Sequence, residues 1–227
     1  MDLINFSEVF QALGKERYCV VKFKPFDELE QGDDIDIFTF NVDSTAKIII
    51  DTLVRVKDFN RKLRLHITKE SDNKCFVDVL CRGKIYFRFD LYGALPNYTR
   101  AKIKPSLFEC CVEKATIKKI NCGNEKIEVK VTRMEEDRII RYLEYIEWYE
   151  RRPDKIKHLE YVLGTFSTEV ERVDFFNRLH YYTGFPEIKY EIKKGKNGII
   201  ENIRFIVDKC RGKSLGELWS IFKQKFL

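Results

Sequence analysis

The chain has 227 residues, with 42 basic and 36 acidic side chains, a formal charge of +6, 44% hydrophobic and 14% aromatic content. That apolar fraction excludes a disordered chain, and the length allows one large domain or two small ones. No apolar run approaches the ~18 residues of a membrane span. The first residues lack the basic start and apolar core of a signal peptide, so a chain with no membrane span and a cytoplasmic location is expected. The mild positive excess suits anionic partners without choosing among them. Seven cysteines (Cys19, Cys75, Cys81, Cys110, Cys111, Cys122 and Cys210) form no Cys-x-x-Cys pair, and no histidine stands at zinc-finger spacing from them. They read as reduced, mostly buried thiols.

Residues 3–14 set Leu3, Phe6, Val9, Phe10 and Leu13 on one helical stripe, with Gly14 as a stop. Tyr18–Phe23 is a short β-rich run, and 25–32 is a polar loop. The run Gly32-Asp33-Asp34-Ile35-Asp36-Ile37-Phe38 then places three carboxylates in what otherwise reads as a buried strand ending near Phe40. Residues 43–53 predict a helix capped by Asp43 or Ser44, burying Ile48, Ile49, Thr52 and Leu53. Three strands are expected over 64–68, 75–80 and 84–92, the last two joined by a turn at Arg82-Gly83. Gly93 and Pro96 end this region. Within 101–134 only Lys126–Val131 alternates cleanly, after a turn at 121–123.

From Glu135 the pattern becomes helical, with Ile139, Tyr142, Leu143, Ile146 and Tyr149 on one stripe through 135–151. Pro153 breaks it. Further helices are expected over 154–164, over 167–182 from Ser167 or Thr168, and as a pair over 199–226. The predicted class is α/β (α+β): a mixed sheet flanked by helices, with a mainly helical C-terminal part. The expected division is an α/β domain over 1–110 and a β-hairpin followed by a helical region over 111–227.

Successive strand side chains point to opposite faces, so Asp34 and Asp36 share one. Two adjacent carboxylates repel and are costly to bury without a counter-charge. A divalent cation is the simplest such charge, and hard oxygen ligands favour Mg²⁺ or Mn²⁺. A third carboxylate is needed from a neighbouring element. Asp90 is the first candidate. Asp78 is the second, although a turn at Arg82-Gly83 sets it near Arg88, where a cross-strand ion pair accounts for it. The chemistry these residues suit is metal-assisted phosphoryl or nucleotidyl transfer.

At this point the chain resembles the polymerase-beta-like nucleotidyltransferase superfamily, in which an Asp-hydrophobic-Asp pair on one strand and a third acid on an adjacent strand hold Mg²⁺. The resemblance covers about 15–92 and maps those roles to Asp34, Asp36 and Asp90. It implies catalytic and metal-binding roles for all three. It further implies a nucleotide or nucleotide-activated small molecule as donor, and a phosphorylated or sugar acceptor. One feature departs from the pattern. No glycine lies between Tyr18 and Gln31, where the family has a Gly-Ser or Gly-Gly turn whose N–H groups receive phosphates. Lys22 or Lys24 stands there instead, able to meet a phosphate as a point charge. The Asp-Asp-x-Asp run also looks like the acidic motif of the choline-phosphate transferase and fukutin-related proteins. The stretch 141–158 is similar to nucleotidyltransferase-like proteins encoded with surface-polysaccharide genes. Both likenesses imply polysaccharide or glycoconjugate biosynthesis.

The basic groups Arg88, Lys102, Lys155 and His158 join Lys22 and Lys24 as candidates for binding substrate phosphate. Lys155 and His158 lie near a helix N-terminus, which favours anions; a solvated turn is the alternative. Arg141 and Glu144 are spaced for an i, i+3 pair. Tyr142, Tyr145, Trp148 and Tyr149 are either core or a stacking wall. No RNA-recognition aromatic signature or dense basic stripe is present, so nucleic acid is not an expected partner. Two rival functions stay open: a catalytically inactive binding or regulatory protein of the same fold, and an RNA-modifying nucleotidyltransferase.

Overall fold

A computed structural model describes residues 4–55, 63–122 and 125–184, all within one compact unit; the helices expected over 199–226 lie outside the described residues. The elements are α1 (Phe6–Ala12), β1 (Tyr18–Val20), β2 (Asp34–Thr39), α2 (Val42–Arg55), β3 (Leu63–Ser71), β4 (Lys74–Cys81) and β5 (Lys84–Tyr92), then α3 (Ser106–Glu113), β6 (Thr116–Cys122), β7 (Glu125–Val131), α4 (Met134–Trp148), α5 (Ile156–Gly164) and α6 (Glu169–Thr183). The strands form one mixed sheet in the order β3-β4-β5-β2-β1-β7-β6, in which the β2–β5 and β1–β7 pairings are parallel. The α/β class expected from the sequence is therefore present.

Period-two alternation decides which face each strand residue takes. Ile35 and Ile37 of β2 join Phe87, Phe89 and Leu91 of β5 and Val77 and Val79 of β4 in one apolar layer. Phe6, Val9 and Phe10 of α1 and Ile49 and Leu53 of α2 complete that layer. Phe6 stacks on Phe26 with centroids 4.8 Å apart and meets Phe87 edge-on at 5.0 Å. Each such ring contributes about 3–5 kcal/mol against truncation to alanine. Residues 34, 36 and 38 consequently face the other side of the sheet. There Phe38 packs on Phe108 of α3, 5.2 Å between centroids. The N-terminal end of β2 is left to carboxylates.

The β4–β5 hairpin turns where expected: Arg82 and Gly83 have φ of 52° and 77°, the left-handed pair of a tight hairpin turn. Several expectations are corrected. The cap of α2 is Asn41, whose side chain accepts from the Ser44 N–H at 3.0 Å, rather than Asp43 or Ser44. The stretch 101–122, where the sequence pattern assigns no element, holds α3 and β6, and β6 is the first strand of the hairpin expected after residue 111. The β6–β7 hairpin pairs through Val131 with Val20 of β1, so the expected break at residue 110 does not divide the sheet. Among the described cysteines, Cys19, Cys75, Cys81, Cys110 and Cys111 are free thiols.

Candidate active site

Parallel pairing of β2 with β5 sets Asp36 directly opposite Asp90, and Asp34 opposite Arg88. One carboxylate oxygen from each of Asp34, Asp36 and Asp90 lies within 4.8 Å of the other two. Asp34 is exposed, Asp36 half-buried and Asp90 only 7% exposed. The buried Oδ1 of Asp90 has no hydrogen-bond partner. Such an atom is costly unless something fills its lone pairs. Its nearest cation is Arg88, with Nε at 3.7 Å, beyond hydrogen-bond range. Burial, and then the charges of Asp36 and Asp34, push the Asp90 carboxyl up to about 7.

Asp78 takes a different role. Arg88 donates to its two oxygens from Nε at 2.5 Å and from Nη2 at 3.2 Å, and His66 Nδ1 lies 3.4 Å away. The register places Asp78 opposite Arg88, the cross-strand pair read from the sequence. Asp33 is likewise engaged, accepting from the Glu30 N–H at 2.9 Å and from Lys24 Nζ at 3.0 Å.

Lys22 follows β1 in a left-handed conformation, φ 53°, where a glycine costs less than any other residue. Its N–H donates to Asp137 Oδ1 of α4 at 2.9 Å. Its ammonium lies 2.6 Å from Asp36 Oδ2 and 2.5 Å from Glu144 Oε1. Burial opposes this charge, but the Asp36 and Glu144 carboxylates outweigh it and hold Lys22 protonated beyond its usual range. On Glu144, Lys155 Nζ approaches the second oxygen at 2.9 Å and His158 Nε2 at 3.3 Å. Burial works against the Glu144 charge too; His158, Lys22 and Lys155 together keep its carboxyl well below the ordinary range. Burial pushes the Asp36 carboxyl up against the pull of Lys22, helped by Glu144 and Asp34.

These groups line one cavity of 590 Å³, together with Lys24, Lys74, Tyr92, Tyr98, Arg141, Trp148 and Arg152. The carboxylate trio comes from the sheet and Glu144 from α4. The cations come mainly from α4, α5 and the turn between them. The structure thus brings together Asp34, Asp36, Asp90, Lys22, Lys24, Lys155 and His158. Arg88 and Lys102 stand apart from that cavity: Arg88 is engaged with Asp78, and the exposed Lys102 lines a separate cavity of 540 Å³ beside Phe108. Arg100 is held at the C-terminal end of α4 by the Ile146 carbonyl at 3.2 Å and by Glu150 just beyond the helix.

The expected Arg141–Glu144 pair does not form. Arg141 donates to Asp137 at 2.7 Å, one helical turn back. Sequence reading missed Glu144 and Asp137 as parts of the site. The available signal was their place beside an otherwise apolar stripe, with Arg141, Glu144 and Trp148 on the cavity side of α4. Of the aromatic run, Tyr142 and Tyr145 are core, whereas Trp148 reaches the cavity.

No family model matches the chain, and no curated protein does. Among solved structures it is similar to JHP933 from Helicobacter pylori, at 7% identity and a TM-score of 0.40, over 89% of this chain and 89% of that one. No helix among the described residues is long and apolar enough to cross a membrane.

Proposed function

We propose that the chain is a divalent-metal-dependent nucleotidyl- or phosphoryl-transferase acting on a nucleotide or nucleotide-activated donor. The observation that carries this reading is the carboxylate trio of Asp34, Asp36 and Asp90, whose buried member Asp90 has an oxygen, Oδ1, without a hydrogen-bond partner. The donor set is all oxygen and anionic, which fits Mg²⁺ or Mn²⁺. Bound there, the ion would offset charge on a phosphate. The protein's own groups do the rest. Lys155 and His158, which line the same cavity, meet the remaining phosphate oxygens. The trio and the cavity walls hold donor and acceptor together, which is the larger part of phosphoryl transfer. One carboxylate oxygen of the trio accepts the acceptor hydroxyl's proton. Trp148 offers a flat apolar wall to a base or sugar. A role in polysaccharide or glycoconjugate assembly rests on the likeness of the acidic motif and of the 141–158 stretch.

The test is a titration of Mg²⁺ or Mn²⁺ with a panel of nucleotides and nucleotide sugars, against the wild type and Asp34→Ala/Asp36→Ala. Metal-dependent binding that survives the double substitution overturns the assignment. A second reading, a binding protein of the same fold without catalysis, draws on Lys22 standing where phosphate-receiving backbone would be expected; binding with no turnover across the panel favours it. Turnover without RNA binding removes the RNA-modifying alternative.

A further inference from the structure

Lys22 bridges the carboxylate trio to an acid outside it and is also anchored from behind. Its ammonium lies 2.6 Å from Asp36 and 2.5 Å from Glu144, a carboxylate outside the trio. Its backbone is fixed by Asp137 at 2.9 Å, in a left-handed conformation that a lysine adopts only when its surroundings impose it. In two-metal transfer sites the ions sit about 3.5–4 Å apart, a separation that a shared carboxylate spans. Asp36 is the residue shared here: one member of the trio, and also the partner of Lys22.

We propose that the Lys22 ammonium takes the place of the second cation, so that this site binds a single divalent ion per chain. The inference rests on the metal-dependent reading above. Charge supports it. The Asp36 and Glu144 carboxylates already share the Lys22 ammonium, and Lys155 holds the second Glu144 oxygen. The side chains of Lys22, Asp36, Glu144 and Lys155 are 16%, 14%, 13% and 16% exposed, so an unbalanced charge there is not screened by water. A second divalent ion would have to expel Lys22 and leave the Glu144 oxygen it holds. Lys22 thus positions Asp36 and supplies fixed positive charge where the family pattern has a glycine turn.

The probe is Mn²⁺ alone, titrated into the full chain without nucleotide and counted from the paramagnetic resonance of the free ion. Wild type and Lys22→Arg bind one ion. Lys22→Gly suits the left-handed backbone and leaves the Asp36 and Glu144 carboxylates facing a vacated position, so it binds two. Lys22→Ala gives the same count and replaces it if the glycine chain does not fold by circular dichroism. Two ions in the wild type, or one in a folded Lys22→Gly or Lys22→Ala chain, overturn the proposal. The two layers separate cleanly. No ion in any chain removes the metal reading and this inference with it. Two wild-type ions, both lost in Asp34→Ala/Asp36→Ala, overturn only the single-ion inference.

Discussion

Asp34, Asp36 and Asp90 converge because one alternation and one register act together. Ile35 and Ile37 are drawn into the apolar layer, which sends the acids to the opposite face, and parallel pairing then sets Asp36 beside Asp90. On the proposed mechanism Asp36→Asn lowers turnover at least about 100-fold, or about 2.7 kcal/mol; steady-state kinetics with the cognate donor check this. Asp90 gives a pH signature independent of activity. Burial and the Asp36 and Asp34 charges push its carboxyl up to about 7, against about 3.9 in an unfolded chain. Between these values the folded state binds the extra proton, so this group's contribution to stability falls as pH rises and is lost above about 7. With chelator present, the melting midpoint should rise from pH 8 to pH 6 by more in wild type than in Asp90→Asn. Equal shifts in the two proteins would sink the assignment. The acids were legible in the sequence because strand periodicity is local. Glu144 was not, because its partner Lys22 lies 122 positions away.

Helix α4 is the element that closes the site. Ile139, Ile140, Tyr142, Leu143 and Tyr145 bury its apolar side, while Asp137, Arg141, Glu144 and Trp148 turn to the β1 end and the cavity. Glu144→Gln removes the charge that Lys22 and Lys155 share, at a cost of about 3 kcal/mol. Urea unfolding should show that loss. A midpoint unchanged within error would mean the cage is solvated rather than structural. Asn41→Ala, which removes the α2 cap, should cost about 1 kcal/mol in the same assay. The β4–β5 hairpin could be read directly because Arg82-Gly83 sits between two alternating runs. In 101–122 the signals are weaker. Helix α3 is only eight residues long, and β6 is an edge strand whose Ile117 is 59% exposed. Its pattern is set by β7, not by burial on two sides.

At the scale of the whole described unit, the sheet binds early and late sequence together. β1 sits between β2 and β7, so no cut near residue 110 leaves a finished edge. A fragment ending at residue 110 loses the β7 partner of β1 and the α4 cover over the carboxylate face. It should give no cooperative thermal transition, and limited proteolysis should degrade it under conditions that spare the full chain. A protease-resistant fragment of that length would restore the two-domain division expected from the sequence.

The Lys22 N–H reaches Asp137 across 115 positions. Chain emerging from a ribosome therefore carries its acidic strand long before it carries the helix that completes the cage. The ordering of synthesis makes the ammonium–carboxylate cage a late assembly. A stalled or truncated product that lacks α4 carries all three acids but neither Glu144 nor Asp137, the groups that hold Lys22 in place.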